Sequence, residues 1–320
     1  MKNLSVMVLA LLFAVSSFAQ EKFVIAGGGG AKNGSVYSNM VGTIAQFCSS
    51  DQMTIEEQQT SGGVENLSLI RNNKVKAAIV PSDVLAAAKF DNAASVAQIW
   101  TLMTLHNEAA HLIVRGDAKK EGGFSIGKMQ IGGETVVFNN PEDLKGRVIG
   151  AVGGSAITGR IISDMLRYSW KIDSTSFKNT SELLAALTSG KIDAVIISAG
   201  LQSDAVKSIK GNFKLLPLRG NSDTQAVYQP MKIEYTNLNG GRSVDTIGAR
   251  AVLVTRTWRS EEMLQTLGTF RHCMLSNLGK IQDTTDTHPA WQDVNAEERG
   301  TWQWYNLPSP ASKTSVKKKN

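Results

Sequence analysis

Three stretches of the chain carry residue types that do chemistry elsewhere, and their spacing decides what each can do here. His106-Asn107-Glu108-Ala109-Ala110-His111 has the composition of a zinc-protease helix. That chemistry needs two histidines four apart, so that both rings share one helical face. Here they are five apart, on a segment that leads into the apolar strand Leu112-Ile113-Val114, so surface or hinge packing is the better reading. Gly28–Ser35 (GGGAKNGS) has the glycines of a phosphate loop, but Lys32 is followed by Asn33-Gly34 rather than by the hydroxyl residue that opens the helix. The dinucleotide fingerprint fails too, because its closing position falls on Asn33. Gly153-Gly154-Ser155-Ala156-Ile157 lacks the second glycine of a nucleophile elbow, and no histidine stands in a persuasive partner position. Zinc, nucleotide and hydrolase chemistry all lose their support, and no cofactor is expected.

What remains is a set of Gly/Ser turns placed before helical patterns: Gly34-Ser35, Ser61-Gly62-Gly63 and Gly153-Gly154-Ser155. The first N–H groups of a helix have no partner within it and carry partial positive charge. Glycine lets backbone approach a ligand closely. Taken singly, each turn reads as an ordinary strand-to-helix connection. Several converging on one cleft would bind a small anion without catalytic machinery.

The elements around these turns alternate. The apolar strand Phe23–Ala26 precedes a helical pattern over Ser35–Phe47, a short strand near Met53–Gln58, a helix beginning at Ser61-Gly62-Gly63 and a buried strand at Ala77–Val80 closed by Pro81. The order recurs: a strand over Arg147–Val152, a helix over Ala156–Tyr168, a helix opened by Asn179 with Glu182 three residues on, and a strand over Ile192–Ile197. Strand–helix alternation predicts α/β architecture with parallel sheets. A shift of 117 positions lays Glu65 on Glu182, Leu67 on Leu184, Lys74 on Lys191 and Ile79 on Ile196. Shared apolar spacing accounts for the aliphatic matches but not for the Glu and Lys, so the chain reads as two similar lobes. Leu112-Ile113-Val114 and the run Thr246–Thr255 are the expected strands leading out of and back to the first lobe, forming a hinge with a cleft beside it. Helical segments are expected over Ser260–Ile281 and again around Ala296–Tyr305.

The chain has 320 residues, 42% of them hydrophobic and 19% charged, with a net charge of +6. That composition is globular, and the mild basic excess is weak support for a nucleic-acid partner. Lys2, the apolar run Leu4–Val15 and small residues at Ser17 and Ala19 predict a cleaved secretory signal over 1–19. Nucleic acid is then not an expected partner, and the periplasm is the expected location. Cys48 and Cys273 would face an oxidising compartment, where one long-range disulfide and two separate buried thiols are both open. The predicted layout is lobe I over 20–113, lobe II over 114–249, a return to lobe I with C-terminal helices over 250–306, and a basic disordered tail over 307–320.

Thr60–Leu67 (TSGGVENL) followed by Ala77–Asp83 (AAIVPSD) resembles the TAXI family, the solute-binding subunits of TRAP-type transporters. Weaker similarities lie at Phe23–Gly30 with Gly34-Ser35-Val36-Tyr37, at Leu105–Glu108 with His111–Arg115, at Asp143–Arg147 leading into Ala151–Arg160, at Ser189–Ala194 and at Asp245–Thr255, so that the resemblance covers most of 22–280. It implies a two-lobed, type II periplasmic-binding-protein fold, with crossing hinge strands and a ligand cleft between the lobes. It implies capture of a small solute, an organic acid or an amino acid, for a sodium-coupled TRAP-type membrane permease. Carried over by position, the pocket comprises Tyr37, Gly62, Gly63, Val64, Asn66, Ser82 and Asp83 from lobe I, and Gly154, Ser155, Thr158 and Ser198 from lobe II. Tyr37 would stack on the ligand or hydrogen-bond it, and Asn66 would offer a neutral donor or acceptor. The sequence departs from the family at Ala31-Lys32-Asn33, at Pro81 and in its shorter second-lobe loop. A secreted enzyme using Asp83 and Glu108, or a ligand sensor, are the alternatives on the same scaffold. Arg160 stands as a carboxylate partner or, in the plainer reading, as a solvated helix arginine.

Overall fold

The computed structural model describes residues 21–28, 35–122, 124–126, 129–201 and 203–308. The expected leader, the insertion Ala31-Lys32-Asn33 and all but the first two residues of the expected basic tail lie outside the described residues.

In chain order, lobe I is built from β1 (Glu21–Ala26), α1 (Val36–Cys48), β2 (Met53–Gln58), α2 (Gly63–Arg71), β3 (Ala77–Pro81) and α3 (Ser82–Asp91). The chain then leaves along β4 (Ile99–Arg115), a strand of 17 residues. Four short strands follow in two antiparallel pairs, β5 (Lys119–Glu121) with β8 (Glu134–Val136) and β6 (Phe124–Ile126) with β7 (Met129–Ile131). Lobe II comprises β9 (Val148–Gly150), α4 (Gly154–Met165), β10 (Lys171–Asp173), α5 (Thr180–Thr188), β11 (Ala194–Gly200), α6 (Asp204–Lys207), β12 (Phe213–Leu216) and β13 (Tyr228–Ile233). The chain returns along β14 (Val244–Arg256) and ends in the long helix α7 (Glu261–Asp283).

One sheet runs through both lobes in the order β10-β9-β11-β4-β14-β3-β1-β2. Each half repeats the same local order. Its second strand lies outermost, then its first, then its third, and the third pairs antiparallel with a crossing strand. In lobe I that crossing strand is β14, and in lobe II it is β4. The crossing strands pair with each other over Gly248↔Ala109 to Arg256↔Ile99, with register shifts between Arg250 and Val252 and between Leu253 and Val254. The result is the expected two-lobed α/β architecture with a hinge of crossing strands. The internal repeat is also structural, since α2 (Gly63–Arg71) and α5 (Thr180–Thr188) are 117 positions apart at both ends.

The matched glutamates have a local cause. Glu65 accepts from the backbone N–H and hydroxyl of Ser61, and Glu182 accepts from the backbone N–H of Lys178. Each reaches back over the start of its helix to the residue just before the N-cap, Gly62 or Asn179, and satisfies a backbone donor that the helix itself cannot.

Lobe I carries its own core. Phe23 stacks on Phe270 at 4.6 Å, bringing α7 over β1, and fully buried Trp291 joins the same cluster. Ser260 caps α7, Glu261 and Glu262 occupy its first turn and Lys280 its last, the charge order the helix dipole favours. Cys48 of α1 and Cys273 of α7 are joined by a disulfide, which settles the alternative left open by sequence.

The helix expected around Ala296–Tyr305 is absent. A 3-10 turn over Pro289–Asp293 is followed by irregular chain with a turn at 296–297 and a bend at 301–302, which pairs with β4 where Thr101 N donates to Gln303 O at 2.8 Å and Tyr305 N donates to Thr101 O at 3.0 Å. The lobe I end of β4 would otherwise expose this edge, and its backbone groups draw the chain into pairing. Among the described residues, no helix is long and apolar enough to cross a membrane.

Candidate ligand-binding cleft

A cavity of about 730 Å³ lies between the lobes and is lined by both of them, by β4 and by the segment following α7. Two helices open into it on glycine with no side-chain cap, α2 from lobe I at Gly62-Gly63 and α4 from lobe II at Gly153-Gly154. Gly62 has φ of 120° and Gly153 of 54°, backbone states that side-chain-bearing residues rarely adopt. A Cβ at either would meet nothing within 4 Å, so conformation rather than crowding calls for glycine there. Gly63 differs: a Cβ would lie 2.4 Å from Pro81 Cδ. The other two helices of this pairing are capped, α1 by Ser35 and α5 by Asn179. Each lobe thus presents one glycine-opened helix end to the cavity, beside the uncapped starts of α3 at Pro81 and of the short α6 at Ser203, and helix starts favour negative charge.

The hinge supplies the inner wall. Side chains alternate along β4, which places His106 and Glu108 on one face and His111 on the other. His106 and Glu108 line the cavity, with His106 Nε2 3.5 Å from Glu108 Oε1. Tyr37 packs edge-on to His106 at 5.8 Å and its hydroxyl lies against Glu108. Burial, followed by the neighbouring Glu108 and Asp83 charges, pushes the Tyr37 phenol well above its ordinary range. Both ring nitrogens of His106 are buried without a hydrogen-bond partner.

Asp83, in the first turn of α3, is 1% exposed. It accepts from Val84 N at 2.8 Å, from Thr158 Oγ1 at 2.6 Å and from Tyr228 Oη at 3.2 Å. Thr158 and Tyr228 belong to lobe II, so this carboxylate ties the lobes together. Burial pushes its pKa up to about 6, with the Glu108 charge adding to the rise and the bonds from Thr158, Tyr228 and Val84 opposing it.

Of the residues singled out from sequence, Tyr37, Gly62, Gly63, Asp83, Gly154, Ser155, Thr158 and Ser198 line the cavity. Ser155 Oγ accepts from Ser198 N at 2.9 Å, fixing one wall. Three do not face it. Asn66 is fully buried, donates to Gly27 O and Ile79 O, and accepts from Thr60 Oγ1, so its amide is consumed in tying α2 to β1 and β3. Ser82 donates to Val227 O and accepts from Arg250 N, fastening α3 to the hinge. Val64 is 49% exposed and lies outside the cavity wall. Arg160 pairs with Asp91 at 3.4 Å on the surface, in line with its plainer reading.

His106 was expected to pack at the surface or the hinge, and Glu108 entered only as an enzyme carboxylate; the fold puts both on the cavity wall. Their signal was polarity in an otherwise apolar strand, a pattern that does not say which face is lined by solvent. His288 and Asp293, from the turn after α7, also line the cavity, and nothing in their local sequence marks them. His111 is wholly structural, with Nδ1 3.1 Å from Ile197 O and Nε2 2.8 Å from Tyr235 Oη.

The NMT1-like family model matches residues 28–301, most of the chain and all of the cleft walls just described. The chain belongs to the NMT1-like family. No curated protein matches this NMT1-like chain in sequence. Among solved structures it is similar to a histidine kinase sensor domain with similarity to periplasmic binding proteins, at 12% identity, covering 87% of this chain and 98% of that one with a TM-score of 0.49. It is also similar to an amino acid ABC transporter substrate-binding protein from Streptococcus pneumoniae bound to L-arginine, at 14% identity, 87% and 97% coverage and a TM-score of 0.48. A third is an ancestral arginine-binding protein bound to arginine, at 13% identity, 80% and 92% coverage and a TM-score of 0.46.

Proposed function

We propose that this protein is a periplasmic solute receptor that captures a small carboxylate-bearing solute between its lobes. It hands that solute to a membrane permease of the sodium-coupled TRAP type, as the TAXI resemblance implies. The observation that carries the reading is the pair of glycine-opened helix N-termini, one from each lobe, opening into one cavity. Gly62 N–H is taken by Thr60 and the Ser155 and Ala156 N–H groups by Val152 O and Gly153 O, so a carboxylate here receives Gly63 N–H from lobe I and Gly154 N–H from lobe II and draws them together. Such a ligand binds the closed form better than the open form, and that difference drives closure. The site residues assigned are Tyr37, Gly62, Gly63, Asp83, Gly154, Ser155, Thr158 and Ser198, with His106 and Glu108 on the hinge. The reading is of a binding protein with no chemical turnover.

Thermal unfolding after refolding from denaturant, which strips co-purified ligand, tests this against carboxylates, amino acids and inorganic anions. A solute at a hundredfold its Kd adds about 2.7 kcal/mol and raises Tm by several degrees. Small-angle scattering with that solute should show a smaller radius of gyration, and an unchanged one would sink the closure mechanism. Uptake in vesicles carrying a TRAP-type permease, dependent on added receptor and on sodium, tests the partner.

A further inference from the structure

We infer that the hinge wall of the cleft is a second, oppositely charged subsite, in which Glu108, His106 and Tyr37 receive a protonated nitrogen of the ligand. This rests on the solute-receptor reading and narrows its ligand to one bearing an ammonium, amidinium or guanidinium group apart from its carboxylate.

The inference follows from which buried groups are already satisfied. Asp83 already accepts from three donors of the protein's own, one at Oδ1 and two at Oδ2. Arg250, on hinge strand β14, directs its terminal nitrogens to Leu105 O, Gln229 Oε1 and Glu298, has a buried Nε without a hydrogen bond, and is not part of the cavity wall. Glu108 is 9% exposed, with the His106 ring 3.5 Å away and no lysine or arginine paired with it among the described residues. His106 is 1% exposed and lines the cavity with neither ring nitrogen hydrogen-bonded. A buried imidazole with no hydrogen bond is costly unless something in the cavity completes it. A neutral imidazole has one acceptor nitrogen, and a carboxylate has several acceptor sites. An N–H-rich cation can donate to both at once, and the Tyr37 ring beside His106 adds an aromatic wall. Lys207, 47% exposed and 3.9 Å from Asp204, is the lysine among the described cavity residues, and its ion-pair partner is that exposed aspartate. A second ligand carboxylate at the hinge would instead lie against Glu108 and Asp83 with no dedicated cation to receive it.

Calorimetric titration of the refolded whole protein with three probes of equal chain length tests this: 5-aminopentanoate, cadaverine and glutarate. Each has five carbons, and they differ in whether their ends are carboxylate acceptors or ammonium donors. 5-Aminopentanoate should bind most tightly and glutarate most weakly. Glu108→Gln, nearly isosteric, should weaken 5-aminopentanoate by about thirtyfold or more while leaving glutarate unchanged or tighter. Glutarate binding best, with Glu108→Gln indifferent, overturns the cationic subsite and leaves the receptor reading standing. If none of the three binds, mass spectrometry of solute released from unrefolded protein decides. A released solute with a basic nitrogen supports the subsite, and one without it overturns the subsite alone. No released solute overturns both readings.

Discussion

The two lobes are built on one plan and differ where the cleft needs them to. The strand order is shared, α2 and α5 are 117 positions apart at both ends, and Glu65 and Glu182 reach back over their helix starts alike. At the cap position the plan diverges: lobe II has Asn179, whose side chain accepts from Glu182 N, and lobe I has Gly62 with no cap. After the third strand it diverges again. Lobe I turns at Pro81 into a ten-residue helix that buries Asp83, whereas lobe II reaches only a four-residue helix and leaves hydroxyl and backbone groups on the cleft wall. The lesson is a division of labour. The repeat supplies two similar rigid frames, and the departures from it leave helix ends open and place buried charge on one side only.

The largest way to break the comparison is to remove a brace that lobe I has alone. The Cys48–Cys273 disulfide closes a separation of 225 residues, for which loop-closure entropy gives about 5 kcal/mol as an upper figure. Replacing both cysteines by serine should lower unfolding stability by about 2–5 kcal/mol. Hydrogen exchange should rise first in α1 and α7, while β9–β11 keep their protection.

Acid titration should sharpen the contrast between Asp83 of lobe I and His111, which is bonded into lobe II. Asp83, raised from 3.8 to about 6, binds more protons folded than unfolded, so its contribution to stability is full below about pH 4 and is lost as pH rises through 6. Burial pushes the His111 imidazole down to about 4, so its contribution is full above about pH 6.5 and is lost as pH falls through 4. The two oppose each other, each by about 3 kcal/mol at most. Asp83→Asn should therefore lose more stability than the parent on acidification from pH 6.5 to 4. His111→Gln should lose less over the same range. Urea midpoints across that range check both signs.

Smaller effects test the caps and the surface. Asn179→Ala should cost about 1 kcal/mol by denaturant unfolding and leave solute affinity unchanged, because this cap serves the lobe rather than the ligand. Arg160→Ala, which breaks an exposed pair with Asp91, should cost less than about 0.5 kcal/mol by the same measurement.

Local pattern carried far into the fold. The strand Ala77–Pro81, the helix over Glu261–Asp283 and the Asn179 cap were legible because each depends on apolar spacing and capping groups within a few residues. The segment over Ala296–Tyr305 was misread for the complementary reason: its conformation is set by pairing with Thr101, far away in the chain. Asn66 sits in the most family-like motif, yet it is bonded to Gly27 and Ile79, so motif membership marked a residue that holds the turn.

Residue type and spacing, through backbone preference and apolar periodicity, determined that the chain forms two α/β lobes joined by crossing strands and that glycine opens the helices at Gly62 and Gly153. Tertiary structure alone decided that those two ends share a cavity, that His106 lines it without a hydrogen bond while His111 five residues on is fully bonded, and that Cys48 meets Cys273. It also joined Asp83 to Thr158 across 75 positions. The physical reason is range: helix and strand formation are settled among near neighbours, whereas burial and hydrogen-bond satisfaction depend on whichever distant segment the packing brings alongside.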